Sequence, residues 1–585
     1  SRFPGANRSD ANTQTLLTGP VNATSASQFY ETLLDNKQYW RQELRAEGMM
    51  ELKLPSPSTT NGTWLKTQAL HSIVRSMITR QNTWEPRYGV CPGFGASNFY
   101  GLQDVFTTTA TAALEMGAMP YARGVIDYQF KHYIRPDGMV WYVAVELAAT
   151  ARMLTVLAKF HTYSGDDGLL LEHFAKAKAL AELLEARRSS SMQFGAEDAR
   201  YGIPVGGIDA QHDSQSTPLL MNHDEQPLHW YASAAETYRA FTDIGEVWST
   251  IGNRSGRADV IAHGAELLKI APLLYSDLHV SMNRTVNMSS SGERCWALAA
   301  ETKQQARGEA TFRGYSELLY SGALTAAQAD DIYKAASGGT SCGAKRFLTL
   351  GSPGIGGTTI ATPTAYGFAH ALLQHDRVEK FLLHFFAVSA HGYTRGTFTT
   401  PESSDVGNRD VAPAQYVSAG VVLVPTYLKW MLCFEEPQTR TLWLGKAVPR
   451  DWLVSGEAPL VAENVTTRYG RISFSLRVSA GSSYSVQANV TLPSSFVSKP
   501  PAGGIRLRIR APLAHAGRLS KVTVGGQAWS AFDAAEETID IAASQLTPAL
   551  IATGLPEIVA SFGATTAAPL RAALLNPDHR VVPTA

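Results

Sequence analysis

Five acidic positions interrupt stretches that otherwise have the pattern of apolar helix or tight turn. They are Asp104, Glu146, the run Asp209–Asp213 with His212, the pair Asp224-Glu225, and Glu402. Two carboxylates in opposite protonation states are what hydrolysis of a glycosidic bond requires: one donates a proton to the leaving oxygen and the other works from the opposite side. Glu225 and Glu402 suit those roles, since each lies in a polar loop just ahead of an apolar helical stretch. Each acid also has a structural explanation. Asp104 is a first-turn acid that complements a helix dipole, as Asp224 and Glu225 would at the mouth of theirs. Glu146 can pair with Arg152, and Glu402 can be an exposed loop residue. The acid role of Glu225 meets a physical objection, because a helix N-terminus favours the ionised form whereas a general acid needs its proton held. Burial against Trp230 and repulsion from Asp224 must outweigh that effect.

The elements that must hold these groups follow from the pattern around them. The stretch 201–245 is a long polar loop that enters an amphipathic helix, with Pro227 at its first position and Gly245 at its end. Leu228, Tyr231, Ala232, Ala235, Tyr238 and Phe241 recur there at helical spacing. A loop of such length in a compact domain is most often functional. Asp104 opens a helix whose stripe is Leu102, Val105, Phe106, Ala110 and Ala113, and Phe99 and Tyr100 stand before it for stacking on a sugar. From residue 63 to 435 the pattern predicts helices over 63–80, 101–116, 118–132, 141–163, 167–186, 228–244, 257–275, 291–304, 308–321, 326–336, 361–374, 377–389 and 412–432. Alternating short and long connections between so many helices are what a toroid of helical hairpins requires; no fixed repeat supports a solenoid. Near Pro437 the period changes to two. GIRLRIR alternates Ile505, Leu507 and Ile509 with Arg506, Arg508 and Arg510, and KVTVGGQAW carries Gly525-Gly526 as a hairpin turn. The expected organisation is an N-terminal arm with one helix (1–60), a helical catalytic domain (61–435) and an antiparallel β-sandwich domain (436–585).

The bulk composition narrows the function classes. The 585-residue chain carries 51 basic and 51 acidic residues, which gives little electrostatic reason to bind nucleic acid or an anionic membrane. No apolar run reaches the ~18–20 residues of a membrane span. Acceptor tripeptides for N-glycosylation occur at Asn7, Asn22, Asn61, Asn253, Asn283, Asn287, Asn464 and Asn489, which favours a secreted or cell-wall glycoprotein. The start SRFPGANRSD suits a processed mature form. Cys91, Cys295, Cys342 and Cys433 allow three disulfide pairings, and their spacing excludes a C-x-x-C metal or redox motif. Neither a metal nor a cofactor is expected.

Several segments resemble the six-hairpin (α/α)6-barrel glycoside hydrolases, with glucoamylases as the nearest pattern. FYGLQDVFTTTATAALEMG is similar to their entry into the second barrel helix, HDEQPLHWYASAAETYRAFTDIG to the segment bearing their general acid, and PESSDVGNRDVAPAQYVSAGVVLVP to the segment bearing their general base. LWLGKAVPRDWL looks like a barrel-to-β-domain junction. The resemblance implies a mainly α fold, an (α/α)6 toroid followed by the β-sandwich, with Glu225 as acid, Glu402 as base and Asp104 as a substrate ligand. Gln103 stands where the pattern has arginine, and His-Asp-Glu-Gln replaces Leu-Trp-Glu-Glu, so membership in the glucoamylases themselves is not implied. The implied activity is an inverting exo-glycosidase, with Phe99, Tyr100, Trp141, Glu146, Asp209, His223, Asp224, Trp230 and Arg395 lining the carbohydrate site beside Asp104. Two alternatives stand beside it. One is a polysaccharide lyase using Tyr201 or Tyr393 with His212 or His391, and Arg395 with Arg409 for the uronate; the other is a glycoprotein that keeps the barrel without the chemistry.

Overall fold

The computed structural model describes residues 26–78, 103–140, 147–207, 228–301, 309–338, 342, 346–354, 358–362, 365–394, 398–407, 418–479 and 483–563. The helices in chain order are α1 (Ala26–Ala46), α2 (Gly62–Ile78), α3 (Gln103–Met116), α4 (Met119–His132), α5 (Leu147–Ser164), α6 (Asp167–Glu172) and α7 (Phe174–Ser191). They continue with α8 (Tyr231–Ser255), α9 (Ala258–Thr285), α10 (Glu309–Tyr320), α11 (Ala326–Ala336), α12 (Tyr366–Gln374), α13 (Val378–His391), α14 (Ser418–Val421) and α15 (Leu423–Leu432). The chain divides into two compact units. One comprises Ser1–Met49, Leu70–Phe368 and Ala390–Pro425, and the other Met50–Ala69, Ala369–Ser389 and Thr426–Ala585.

The first unit is helical. Within it α3 packs on α4, α5 and α14; α5 packs on α7 and α8; and α8 packs on α9 and α10. Connections alternate in length. The separations between described helices at 117–118, 165–166, 256–257, 321–325 and 375–377 are short, whereas those at 79–102, 133–146, 195–230, 286–308, 337–365 and 392–417 span long stretches of sequence. Sequence punctuation accounts for the short turns. Gly256 takes the left-handed conformation (φ 68°) that ends α8, and Thr325 with Gln328 forms a capping box on α11.

Three expectations are corrected here. Helix α8 runs through Gly245 to Ser255 instead of stopping there. Gly245 is needed for contact, not termination: a Cβ on it would lie 3.0 Å from the Gly264 carbonyl oxygen, and one on Gly264 would lie 2.8 Å from that of Gly245. Absence of side chains thus lets α8 and α9 press backbone against backbone. Helix α8 also begins at Tyr231, later than Pro227 suggests, because Leu228 and Trp230 are extended and bridge to Gly206 and Ala299. The helix expected over 291–304 is not seen in its described part, 291–301. The Ser/Gly run there turns the chain so that β2 (Asn287–Met288) pairs with β3 (Arg294–Cys295), and Cys295 is bonded to Cys342.

The second unit contains two sheets. Strands β4 (Leu348–Thr349), β5 (Ser352–Pro353), β6 (Thr359–Ala361) and β7 (Ser403–Asp405) form small hairpins in the helical unit. Of the remaining strands, β1 (Glu51–Lys53), β10 (Leu460–Thr467), β11 (Gly470–Val478), β12 (Ser485–Thr491), β18 (Ile558–Phe562), β14 (Leu519–Val524) and β15 (Gln527–Trp529) make a seven-stranded sheet in that spatial order. A five-stranded sheet has the order β16 (Phe532–Asp533), β17 (Thr538–Ile541), β13 (Ile505–Arg508), β9 (Leu442–Leu444) and β8 (Cys433–Glu435). Gly525 and Gly526 both take positive φ between β14 and β15, as a two-residue hairpin demands. One pair departs from the antiparallel expectation, since β13 runs parallel to β9. The N-terminal arm also contributes more than a helix, because β1 pairs with β10 at the sheet edge.

Among the described acceptor asparagines, Asn61, Asn253, Asn283, Asn464 and Asn489 are exposed and Asn287 is half-buried; Asn7 and Asn22 lie outside the described residues. No helix among the described residues is long and apolar enough to cross a membrane.

Candidate active site

Glu402 follows buried Pro401 at the start of β7, and its own side chain is half-buried. The backbone there is fixed from several directions. Thr362 donates its N–H to the Glu402 carbonyl (3.2 Å) and its hydroxyl to the Pro401 carbonyl (3.0 Å). Ala361 pairs with Ser403, and the Ser404 hydroxyl bonds the His391 carbonyl (2.7 Å). Helix α14 is pressed onto this hairpin at Gly420, where a Cβ would meet Thr362 Oγ1 at 2.3 Å and Thr400 Oγ1 at 2.7 Å. A carboxylate on such a braced loop keeps its direction, which proton transfer to or from a bound molecule needs.

Tyr393 is built into the same support. Its hydroxyl donates to the Gly420 and Val421 carbonyls (2.9 and 2.6 Å) and accepts from the Val424 N–H (3.2 Å). It therefore satisfies the backbone groups released where α14 breaks from α15. That role and its burial correct the reading of Tyr393 as a lyase base.

The segment bearing Glu225 is anchored at both ends. Gly206 and Leu228 exchange N–H···O bonds of 3.0 Å, so the chain leaves and re-enters at one point. Tyr231 N–H bonds the Leu298 carbonyl (2.9 Å) and Ala300 N–H bonds the His229 carbonyl (3.0 Å), which ties the entry of α8 to the connection that precedes α10. Two residues there were not picked out by sequence reasoning. Glu301 accepts the His229 backbone N–H on both oxygens (3.2 and 3.1 Å), and it forms a short bond with His229 Nδ1. Burial raises the Glu301 carboxyl, but the His229 bonds outweigh it and hold the group below its usual range. His229 is itself buried, edge-on to Phe194 (5.3 Å), and Arg200 lies 3.7 Å from the Phe194 ring centre. Arg200 is gripped by Asp198 (3.0 and 2.7 Å), whose carboxyl is drawn down to about 2 by those bonds. Among the described residues, a carboxylate at the N-terminal end of α8 is thus Glu301, supplied from a distant stretch of chain.

Deeper in the helical unit, Arg152 of α5 meets Glu236 of α8 (3.2 Å) and Glu317 of α10 (3.5 Å), all three fully buried. The Tyr366 ring of α12 lies 4.6 Å from its guanidinium carbon. Burial pushes the Glu236 carboxyl up, and Arg152 works against that shift. Among the described residues, the Arg152 guanidinium is thus engaged by Glu236 and Glu317. Asp127, Glu172 and His173 form the one group among the described residues with metal-like spacing. Lys131 pairs with both of its carboxylates, at 2.8 Å from Asp127 and 3.5 Å from Glu172.

Of the other residues singled out from sequence, Asp104 is the second residue of α3. Trp230 stands at the N-cap position of α8 and is buried, with only 3% of its surface exposed. Phe99, Tyr100, Trp141, Glu146, Asp209, His212, His223, Asp224, Glu225, Arg395 and Arg409 lie outside the described residues.

No protein-family model matches the chain, and no curated protein matches it in sequence. Among solved structures, it is similar to a glycosidase E335A in complex with glucose (12% identity, TM-score 0.40) over 63% of this chain and 97% of that one. A Streptococcus pneumoniae enzyme described among metal-independent alpha mannosidases, in complex with alpha-1,6-mannobiose, matches with 11% identity and TM-score 0.41, over 63% and 97%. A rhamnosidase from Klebsiella oxytoca with rhamnose bound matches with 13% identity and TM-score 0.39, over 65% of each chain. Likeness at this level fixes neither fold nor activity.

Proposed function

We propose that this chain is a secreted glycoside hydrolase on an (α/α)6 toroid followed by a β-sandwich, cleaving oligo- or polysaccharide from a chain end with inversion. The observation that carries the reading is the alternation of connection lengths. Every long connection leads into α3, α5, α8, α10, α12 or α14, and short turns lead out of the first five. Helices joined by short turns run antiparallel, so these six run in one sense and their N-terminal ends gather on one side. The contacts of α14 with α3, α3 with α5, α5 with α8 and α8 with α10 support a ring. The close seat of Gly367 on the Ser316 carbonyl brings in α12, and α5, α8, α10 and α12 each send a side chain to the Arg152 cluster. Asp104, Glu146, Glu225, Glu301 and Glu402 all belong to the start of one of those helices or the connection before it.

In this reading Glu225 protonates the glycosidic oxygen. Glu402 takes a proton from the water that attacks the anomeric carbon from the opposite face, with the two carboxyls roughly 6.5–9.5 Å apart. Asp104 accepts hydrogen bonds from hydroxyls of the terminal sugar. The helix-dipole objection to Glu225 weakens, because α8 begins only at Tyr231 and the dipole effect fades within the first turn. Glu301 adds a fixed negative charge at the base of the same loop, and a like charge helps a neighbouring carboxyl retain its proton.

The test is a panel of α- and β-linked oligosaccharides, with product anomers followed by NMR. Turnover with inverted product is expected, and Glu225→Gln or Glu402→Gln should each lower it by about 10²–10⁴-fold without changing the melting temperature. Full turnover in both variants would remove the assignment, and products absorbing in the ultraviolet would replace hydrolysis by elimination.

A further inference from the structure

The seven-stranded sheet bears a groove of about 440 Å³ on one face. Lys53, Val461, Ser475 and Asn489 lie side by side across it, each the register partner of the next on strands β1, β10, β11 and β12. Residues in register share a face, and so do residues two apart on one strand. Arg477 therefore joins the same wall, and Pro459 lines the groove just before β10. The result is a shallow site with two cationic donors, a hydroxyl, the amides of Gln487 and Asn489, the Glu557 carboxylate and an apolar patch.

Asn489 heads the acceptor tripeptide Asn489-Val490-Thr491, and its side chain is exposed within this wall. We propose that Asn489 carries an N-linked glycan whose first two N-acetylglucosamine residues lie in the groove. Lys53 and Arg477 donate to the sugar hydroxyl and acetamido oxygens, and Val461 with Pro459 takes the C–H face. The bond forms during secretion, before the sheet closes. The host transferase supplies the oligosaccharide from a polyprenyl-pyrophosphate donor: the bond from sugar C1 to the pyrophosphate oxygen breaks, C1 bonds to Asn489 Nδ2, and that nitrogen loses one proton. The groove volume falls within the range of about 300–1,000 Å³ typical of small-ligand sites. Because the occupant is tethered to the wall, its effective concentration is of millimolar order. Contacts too weak to hold a free disaccharide therefore suffice.

Asn253 provides the comparison, since it lies near the end of α8 in an exposed stretch (253–259). The inference depends on passage through a secretory pathway and not on catalysis, so the oligosaccharide panel tests the two readings separately. The experiment uses the full chain secreted from a eukaryotic host, with occupancy mapped by peptide mass spectrometry. Glycan release by peptide-N-glycosidase is then timed on the native and the denatured protein. Asn489 should be occupied and released about tenfold more slowly than an open site in the native protein, with the difference gone after denaturation. The Lys53→Ala/Arg477→Ala double variant, still glycosylated, should lose that native protection. An unmodified Asn489 overturns the proposal. So does native release as fast as at Asn253, or as fast as in the double variant.

Discussion

Replacing Lys446 by methionine should stabilise the β-rich unit, in a way that depends on pH. Lys446 is 1% exposed, with its ammonium 3.4 Å from the centre of the Trp443 ring and 3.5 Å from Asp376 Oδ1. Asp376 is shared, because Arg508 grips both of its oxygens at 2.6 Å. Burial pushes the Lys446 ammonium from 10.5 down to about 7, against the pull of Asp376. Each unit corresponds to about 1.36 kcal/mol, so charging this lysine in the folded state costs roughly 5 kcal/mol relative to the unfolded chain. The sign follows from proton counting. Between about pH 7 and 10.5 the unfolded chain binds more protons, so stability rises with pH across that window, and the penalty is complete below it. Methionine removes the penalty and leaves Asp376 with Arg508, at the loss of a cation–π contact worth about 1–2 kcal/mol. The variant should gain about 3–4 kcal/mol at pH 6 and little or nothing at pH 10. Urea midpoints of the full chain at pH 6, 8 and 10 measure this directly. A variant less stable than the parent at pH 6, or an offset that does not change with pH, would refute the reasoning.

Two further outcomes follow from the packing and the rim. Gly264→Ala should destabilise by about 1–2 kcal/mol although alanine is the better helix former, because its Cβ would meet the Gly245 oxygen and the Ser249 hydroxyl at 2.8 Å; the melting temperature would register it. Glu301→Gln should cost about 1–2 kcal/mol at pH 7. Since the folded carboxyl sits below 4.5, that difference should be present above pH 4.5 and shrink as pH falls through the folded value, as parallel denaturation of both proteins at pH 3 and 7 would measure.

Much of the helical pattern was legible because period and punctuation are local. The ends of α3, α4 and α11 lie within a few residues of those the sequence predicts. Gly245 misled because a glycine inside a helix and a glycine ending one differ only in what packs against them, and Gly264 is on another helix. The stretch 291–304 misled because its pairing depends on a hairpin and on Cys342, neither of which its apolar spacing encodes. His229 and Glu301 were illegible for the same reason. Each is unremarkable alone, and their bond spans 72 positions. Arg506, Arg508 and Arg510 are expected on one face of a strand; β13 ends at Arg508, and pattern could not reveal that Asp376 and Glu379 pair with Arg508 and Arg510.

The buried ion cluster bears on the depth of the proposed site. Arg152 and Glu236 are each the sixth residue of their helices, and Glu317 is the ninth of α10. At about 1.5 Å of rise per residue they lie roughly 8–12 Å below the N-terminal ends. On the proposed ring, three charged side chains at that level, with Tyr366 against the guanidinium, close the axis beneath the rim. In the proposed site, a depth of this order would admit one or two sugar rings end-on, the shape that the proposed exo action needs. The cluster also suits a floor better than a catalytic group. Arg152 compensates both carboxylates where water is excluded, so breaking the set is costly.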